Sequence, residues 1–236
     1  MSVTKIIKNY IPHEKLSTKL WDNKTGKMKP DIREKLLIIA DVFVDYLGVA
    51  IDVLDVTVTG SYANYNYTPY SDIDLHIIVD YEDLTDIENL SKEFFHAKKS
   101  FWNDRHDIKI KGVEVELYAQ DNSEPHSSSG VYSVDDDDWI VSPKKFKTEI
   151  DQNAIKDRYK KLKIEIEAAI EDAMKDNNIQ SIDRMLEKVR KMRKSGLERA
   201  GELSDENLTY KVMRTEGLLQ KMFNIKEDII DGELSG

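Results

Sequence analysis

The sequence predicts an α+β protein with two regions of different character. Up to about residue 142, segments with the period-two alternation of β-strands are mixed with helical segments and turns. Beyond Pro143 the apolar residues recur almost wholly at helical spacing. The acidic excess lies within the first 139 residues, and the remainder is close to neutral. We therefore predict a strand-containing domain over residues 1–142, with an N-terminal helical lead, and a C-terminal helical bundle over residues 143–236.

Length and composition set broad limits on the function. The 236 residues, 40% of them hydrophobic, suffice for one large domain or two small ones. A net charge of −10 argues against a protein that coats nucleic acid electrostatically. The absence of cysteine excludes thiolate metal sites and a cysteine nucleophile, and it agrees with a reducing compartment. With no signal-like N-terminus and no apolar stretch near the ~20 residues of a membrane helix, we expect a soluble, cytoplasmic protein.

The first region contains a helix followed by two strands. Apolar residues at i, i+3 and i+4 spacing predict a helix that begins at Pro30 and stops at Gly48. The β-branched residues from Val53 to Thr59 predict one strand, and the alternation from Ile73 to Val79 predicts another. Further elements are predicted in chain order: a helix over residues 84–102, a hairpin over 107–118 and a short hairpin over 131–141.

The second region is predicted to form three helices. Their apolar stripes extend over residues 153–176, 181–199 and 204–222. Ser181 and Ser204 have the residue type and position of N-caps. We expect the three apolar stripes to bury one another.

Two carboxylates open the second predicted strand, in the stretch Ser71-Asp72-Ile73-Asp74. Residues i and i+2 of a strand point to the same face about 6.5 Å apart, so Asp72 and Asp74 lie side by side. Such close carboxylates repel each other unless a cation lies between them. Hard oxygen ligands without Cys or a His cluster favour Mg²⁺ or Mn²⁺. The spacing therefore predicts a divalent metal site.

A third acid is needed to complete a two-metal centre. In residues 113–118 the valines and Leu117 alternate with Glu114, Glu116 and Tyr118, so the two acids share one face of a predicted strand. Neighbouring strands lie ~4.8 Å apart, which is within carboxylate reach. Glu116 is our candidate, and Glu114 is a rival on the same face.

The turn Gly60-Ser61 ends the first strand, ten residues before Ser71. A residue without a side chain lets backbone amides approach a triphosphate, and the serine hydroxyl adds a donor. Gly-Ser, a spacer, Asp-x-Asp and a later acid together resemble the signature of the DNA polymerase β-like nucleotidyltransferase superfamily. Further similarity, to nucleotidyltransferase-like proteins of tailed phages, lies in four short segments: Leu20-Trp21, Asn64-Tyr65-Asn66, Asp74-Leu75-His76 and Glu124-Pro125-His126.

The resemblance implies a fold and roles for individual residues. The fold is a mixed β-sheet flanked by helices, followed by a helical domain. Asp72, Asp74 and Glu116 would bind the metals, and Glu116 would also assist deprotonation of the acceptor hydroxyl. The residues that would contact the nucleotide are Gly60, Ser61, Ser71 and, from the helical domain, Lys211.

The implied reaction is the Mg²⁺- or Mn²⁺-dependent transfer of a nucleoside monophosphate from a nucleoside triphosphate, with ATP as the first choice, and release of pyrophosphate. The acceptor is open between an RNA 3′ end, a protein hydroxyl, a nucleotide and a small molecule. One departure concerns the third acid, which is usually Asp, whereas Glu116 adds a methylene. An inactive nucleotide-sensing or partner-binding protein on the same fold is therefore the alternative. A glycosyltransferase with an Asp-x-Asp metal site ranks last, because it gives Gly60-Ser61 no role.

Overall fold

A six-stranded mixed sheet and a group of packed helices form separate units in the computed structural model, which describes residues 2–85, 88–126, 128–146 and 149–235. Residues 12–146 form the sheet unit, and residues 1–11 with 147–236 form the helical unit. The predicted α+β class is confirmed. The sequence analysis gave residues 1–11 to the sheet domain, whereas their contacts place them in the helical unit. The reason is that Ile6 and Ile7 of helix α1 (Val3–Lys8) are fully buried in the helical core.

The sheet has the order β3-β4-β2-β1-β5-β6. Strand β2 pairs in parallel with β4, and all other neighbours pair antiparallel. The strands predicted from Val53 to Thr59 and from Ile73 to Val79 are confirmed at both ends. The bounds are β1 Val53–Thr59, β2 Ile73–Val79, β3 Lys109–Ile110, β4 Val113–Asp121, β5 Val131–Ser133 and β6 Asp138–Val141.

Two long helices pack against the sheet. Helix α2 (Pro30–Leu47) has Pro30 at its first turn and ends at Gly48, whose φ of 70° is left-handed, as the sequence predicted. Helix α3 (Glu88–Arg105) begins later than predicted, and residues 86 and 87 of the predicted helix lie outside the described residues. The largest fully buried side chains of this core include Phe43, Leu36, Phe95, Ile73 and Leu75.

Helix α3 is fixed against strand β4 by a side-chain amide. Asn103 donates from Nδ2 to the Leu117 carbonyl (3.0 Å) and accepts at Oδ1 from the Leu117 backbone N–H (3.2 Å). Strand β3 pairs only with Val113 and Glu114 of β4. At Leu117 the side chain of Asn103 therefore bonds the backbone groups that a neighbouring strand would otherwise bond. The two bonds link α3 to β4 at Leu117.

The helical unit contains α1 together with four further helices: α4 Gln152–Asp176, α5 Gln180–Ala200, α6 Asp205–Thr215 and α7 Leu218–Ser235. Ser204 caps α6 as predicted, with its Oγ accepting from Asn207 N–H (3.3 Å). Ser181 is not a cap: Ile179 precedes α5, and the Ser181 hydroxyl donates to the Ala169 carbonyl of α4 (2.8 Å). Among the described residues, no helix is both long and apolar enough to cross a membrane.

The third predicted helix, over residues 204–222, is wrong as a single element. It is broken between α6 and α7 at Gly217, whose φ is 76°. A left-handed residue cannot continue a right-handed helix, and glycine adopts that conformation without steric cost. Helix α7 then continues beyond the predicted end and buries Leu218, Leu219, Met222 and Ile229.

Candidate active site

Three carboxylates meet on one face of the sheet. Asp72 directly precedes β2, and Asp74 lies in β2 opposite Glu116 of the parallel strand β4. One oxygen atom of each side chain lies within 4.8 Å of one oxygen of the other two, and all three residues are partly exposed. Like charges held this close favour a bound cation, and an all-oxygen donor set suits Mg²⁺ or Mn²⁺. The residues present therefore fit a divalent metal, and their role as ligands stays a prediction.

Strand register separates the two rival third acids. Glu116 pairs with Asp74 of β2, whereas Glu114 is exposed and pairs with Lys109 of β3. Both glutamates point to the same face of β4, but only Glu116 belongs to the carboxylate cluster found among the described residues. The geometry favours Glu116.

Gly60 makes room for one of these carboxylates. Its φ is +67°, and a Cβ atom added there would lie 1.8 Å from Asp74 Oδ2 and 2.7 Å from Asp74 Cγ. At the level of the sequence, this glycine is predicted to let backbone amides approach a triphosphate. The structure adds a second reason, because any side chain at residue 60 would displace the Asp74 carboxylate.

The neighbouring polar residues hold the backbone of the site. Ser71 Oγ accepts from the Thr68 backbone N–H (3.0 Å), which closes the turn that leads into Asp72. Asn64 Nδ2 donates to the Gly60 carbonyl (2.6 Å), and the Asn64 backbone N–H donates to the Ser61 carbonyl (3.1 Å). These contacts fix the Gly60-Ser61 turn. Nucleotide binding by Gly60, Ser61 and Ser71 stays a prediction.

A neutral histidine lies next to the carboxylates on the same face. Gln120 Oε1 can only accept, so His76 Nδ1 donates to it (2.7 Å) and His76 Nε2 accepts from the Thr59 hydroxyl (3.1 Å). The ring also stacks on Tyr118 with centroids 4.7 Å apart. Burial lowers the pKa of His76 to about 4, so the imidazole is uncharged at neutral pH. His76 therefore ties β1, β2 and β4 together beside the carboxylates.

Lys99 of α3 is a site residue that the sequence analysis missed. Its Nζ lies 3.6 Å from Glu116 Oε1 and 3.5 Å from the centroid of the Tyr118 ring. Burial raises the pKa of Tyr118, and the negative charges of Glu116 and Asp74 raise it further, so the phenol stays protonated. No local motif marks Lys99, because its place in the site depends on how α3 lies against β4.

Lys211 lies in the helical unit, on α6. Its Nζ is 2.7 Å from Glu202 Oε2, and its side chain is 18% exposed. Burial raises the pKa of Glu202, but Lys211 and the hydrogen bonds of the glutamate outweigh burial and hold that pKa below its usual value. The ammonium of Lys211 is thus engaged in an ion pair within its own unit. Its assignment as a phosphate ligand stays a prediction.

Comparison with known proteins agrees with this site. The family model of the nucleotidyltransferase domain matches residues 37–191, more than half of the chain, so the chain belongs to that family. Membership supports an enzyme that uses a nucleoside triphosphate, and enzymes of this family typically use divalent metals.

Two further comparisons add little. No curated protein matches the chain. Among solved structures, the STING-associated CdnE c-di-GMP synthase from Capnocytophaga granulosa is similar at 18% identity, with 87% of this chain and 84% of that chain covered and a TM-score of 0.21. At this identity and TM-score the likeness carries no argument about the fold or the reaction.

Proposed function

We propose that this protein is a nucleotidyltransferase that depends on a divalent metal and moves a nucleoside monophosphate from a nucleoside triphosphate to an acceptor hydroxyl. The observation that carries the proposal is the meeting of Asp72, Asp74 and Glu116, with oxygen atoms within 4.8 Å of one another, in a member of the nucleotidyltransferase family. Three carboxylates in this arrangement suit a site that binds cations and phosphates together.

The chain's residues divide the chemistry between them. Asp72, Asp74 and Glu116 would hold Mg²⁺ or Mn²⁺, which stabilises negative charge on the phosphates and lowers the pKa of the attacking hydroxyl. Glu116 accepts the proton of that hydroxyl. The acceptor oxygen forms a bond to the α-phosphorus, the bond from the α-phosphorus to the bridging oxygen breaks, and pyrophosphate leaves. The backbone of Gly60 and the hydroxyl of Ser61 would bind the triphosphate.

The residues of the site define the type of reaction more closely than they define the nucleotide donor or the acceptor. ATP is the first donor to test. The near-neutral second half of the chain permits a short or structured RNA, while a protein hydroxyl, a nucleotide and a small molecule remain equal candidates. The resemblance to phage proteins stays a prediction.

The test is transfer of label from each of the four α-phosphate-labelled nucleoside triphosphates, with Mg²⁺ or Mn²⁺, to total RNA, to a protein extract or to the protein itself. We expect label in one fraction with the wild type and none with Asp74→Asn. Glu114→Gln is the matched control, because it removes a carboxylate from the same face of β4 as Glu116 but outside the cluster. Absence of transfer under every condition would contradict the proposal.

The second candidate is a nucleotide sensor without transferase activity. It is favoured by the ion pair between Lys99 and Glu116, because an ammonium near the third acid competes with a metal there. A sensor would bind nucleotide tightly in the presence of metal, with no label transferred. Binding that needs no metal would favour the sensor further.

A further inference from the structure

Lys99 is held beside the third acid by the packing of its helix. It lies four residues before Asn103, on the side of α3 that faces β4, and Asn103 is bonded to both backbone groups of Leu117. Residue 99 is thereby placed level with Glu116 and Tyr118. The ring of Tyr118 supports the ammonium from one side, and Glu116 Oε1 lies 3.6 Å away. The Lys99 side chain is only 21% exposed.

An ammonium in this position would contribute little to folding and would repel a cation bound by Glu116. Ion pairs between partly exposed groups add little to stability, because water screens them and the side chains lose freedom. A divalent ion held by Glu116 would share that carboxylate with the Lys99 ammonium, which lies 3.6 Å from Glu116 Oε1. The two positive charges then repel each other, and the aromatic contact keeps the ammonium from moving far away.

We propose that Lys99 is a positioning residue for Glu116. The lysine holds the Glu116 carboxylate before metal binds, and it weakens the binding of a divalent cation until the nucleotide binds. The negative charge of the triphosphate offsets the ammonium, so metal and nucleotide bind cooperatively. The inference rests on the proposed function, because it requires the three carboxylates to be metal ligands.

The test is a titration of the full-length protein with Mn²⁺, in which electron paramagnetic resonance reports the free ion. Without nucleotide, we expect Lys99→Met and Lys99→Gln to bind Mn²⁺ about three- to tenfold more tightly than wild type, as removal of a unit charge near a divalent ion at a partly exposed site predicts. With an α,β-methylene ATP analogue present, the difference should shrink. Lys99→Arg, which keeps the charge, should match wild type within about twofold.

Lys98→Met is the matched control. Lys98 is the next residue of the same helix, its Nζ donates to the Tyr46 carbonyl (3.3 Å), and it lies 4.9 Å from the centroid of the Tyr46 ring. It therefore has a similar aromatic contact away from the carboxylates, and its loss should leave Mn²⁺ affinity unchanged.

The outcomes separate the inference from the function on which it rests. Tighter Mn²⁺ binding by both neutral variants supports the inference, because damage to the structure would weaken binding. Unchanged or weaker binding, while wild type binds Mn²⁺ and Asp74→Asn does not, overturns the role of Lys99 alone. If wild type and Asp74→Asn both fail to bind Mn²⁺, the metal site of the proposed function is wrong, and the inference falls with it.

Discussion

Charged side chains cluster in both units, but the balance of charge differs. In the sheet unit, three carboxylates, Asp72, Asp74 and Glu116, lie within 4.8 Å of one another, and Lys99 lies 3.6 Å from Glu116. In the helical unit, acids and bases alternate: Glu206 lies 3.1 Å from Arg158 and 2.6 Å from Arg199. In the helical unit the two arginines therefore balance the charge of Glu206.

The contrast indicates what each cluster is for. An acid whose charge is balanced by arginines in its own unit needs no ligand to neutralise it. Carboxylates gathered at one point favour a bound cation, and such clusters of like charge are typical of functional sites. The arrangement of charge, rather than the number of charged residues, therefore distinguishes the candidate active site from a structural network.

The largest effect is expected at the third acid. Glu116→Gln should lower the kcat/KM of nucleotidyl transfer by about 100- to 1,000-fold, because a neutral amide neither binds the metal as well nor accepts the hydroxyl proton. Glu114→Gln should keep near-normal activity, since Glu114 is exposed and pairs with Lys109. The label-transfer assay measures both. Equal losses in the two variants would mean that strand register does not select the third acid.

The next largest effect, on metal binding, is expected at Gly60, which lies against the Asp74 carboxylate. Gly60→Ala should weaken Mn²⁺ binding by about 10- to 100-fold, because the new methyl group displaces the Asp74 carboxylate. The matched control is Gly112→Ala in the β3–β4 turn, where φ is +74° and nothing lies within 4 Å of the added Cβ. Both variants strain a left-handed residue by about 1–2 kcal/mol. If they lose Mn²⁺ affinity equally, strain rather than the Asp74 contact is responsible.

A smaller effect is expected in the self-neutralised cluster. Glu206→Gln should lower the free energy of unfolding by about 1–2 kcal/mol, because Arg158 and Arg199 lose a charged partner that is only 16% exposed. Glu187→Gln is the control, since its pair with Lys191 is highly exposed and should matter much less. Denaturant unfolding measures both. A larger loss in Glu187→Gln would contradict the comparison between the clusters.

The contribution of Glu206 to the free energy of unfolding should depend on pH. Burial raises the pKa of Glu206, but its backbone hydrogen bond and the two arginines outweigh burial and hold the pKa below its ordinary value of 4.5. The stabilisation is therefore complete above pH 4.5 and is lost as the pH falls through the lowered pKa. The difference between wild type and Glu206→Gln should narrow on acidification. A difference that stays constant would show that Glu206 acts through packing rather than charge.

The smallest effect is expected at Lys211. Lys211→Met should lower stability by about 1 kcal/mol, because the ammonium is engaged by Glu202, and its KM for nucleotide tests whether this lysine also contacts the phosphates. Steady-state kinetics and unfolding measure the two quantities. A tenfold rise in KM without loss of stability would support the phosphate contact that the sequence analysis assigned to this lysine.

Local patterns were sufficient to predict much of the fold. The bounds of β1 and β2 and the helix from Pro30 to Gly48 follow from alternation, β-branched residues and the end preferences of proline and glycine. The pair Asp72 and Asp74 was also predictable, because a strand repeats every two residues. Each of these patterns lies within the element that it predicts or within a few residues of it.

Other features depend on contacts between distant segments. The choice between Glu114 and Glu116 depends on the register of β4 against β2 and β3, and a shift of two residues would exchange them. Lys99 belongs to the site because Asn103 fixes α3 along β4. The sequence by itself determined strands β1 and β2, the helix from Pro30 to Gly48 and the pairing of the Asp72 and Asp74 carboxylates. Only the tertiary structure showed that Glu116 rather than Glu114 lies beside Asp74, and that Lys99 lies beside Glu116. Register and helix packing join residues whose spacing along the chain carries no period.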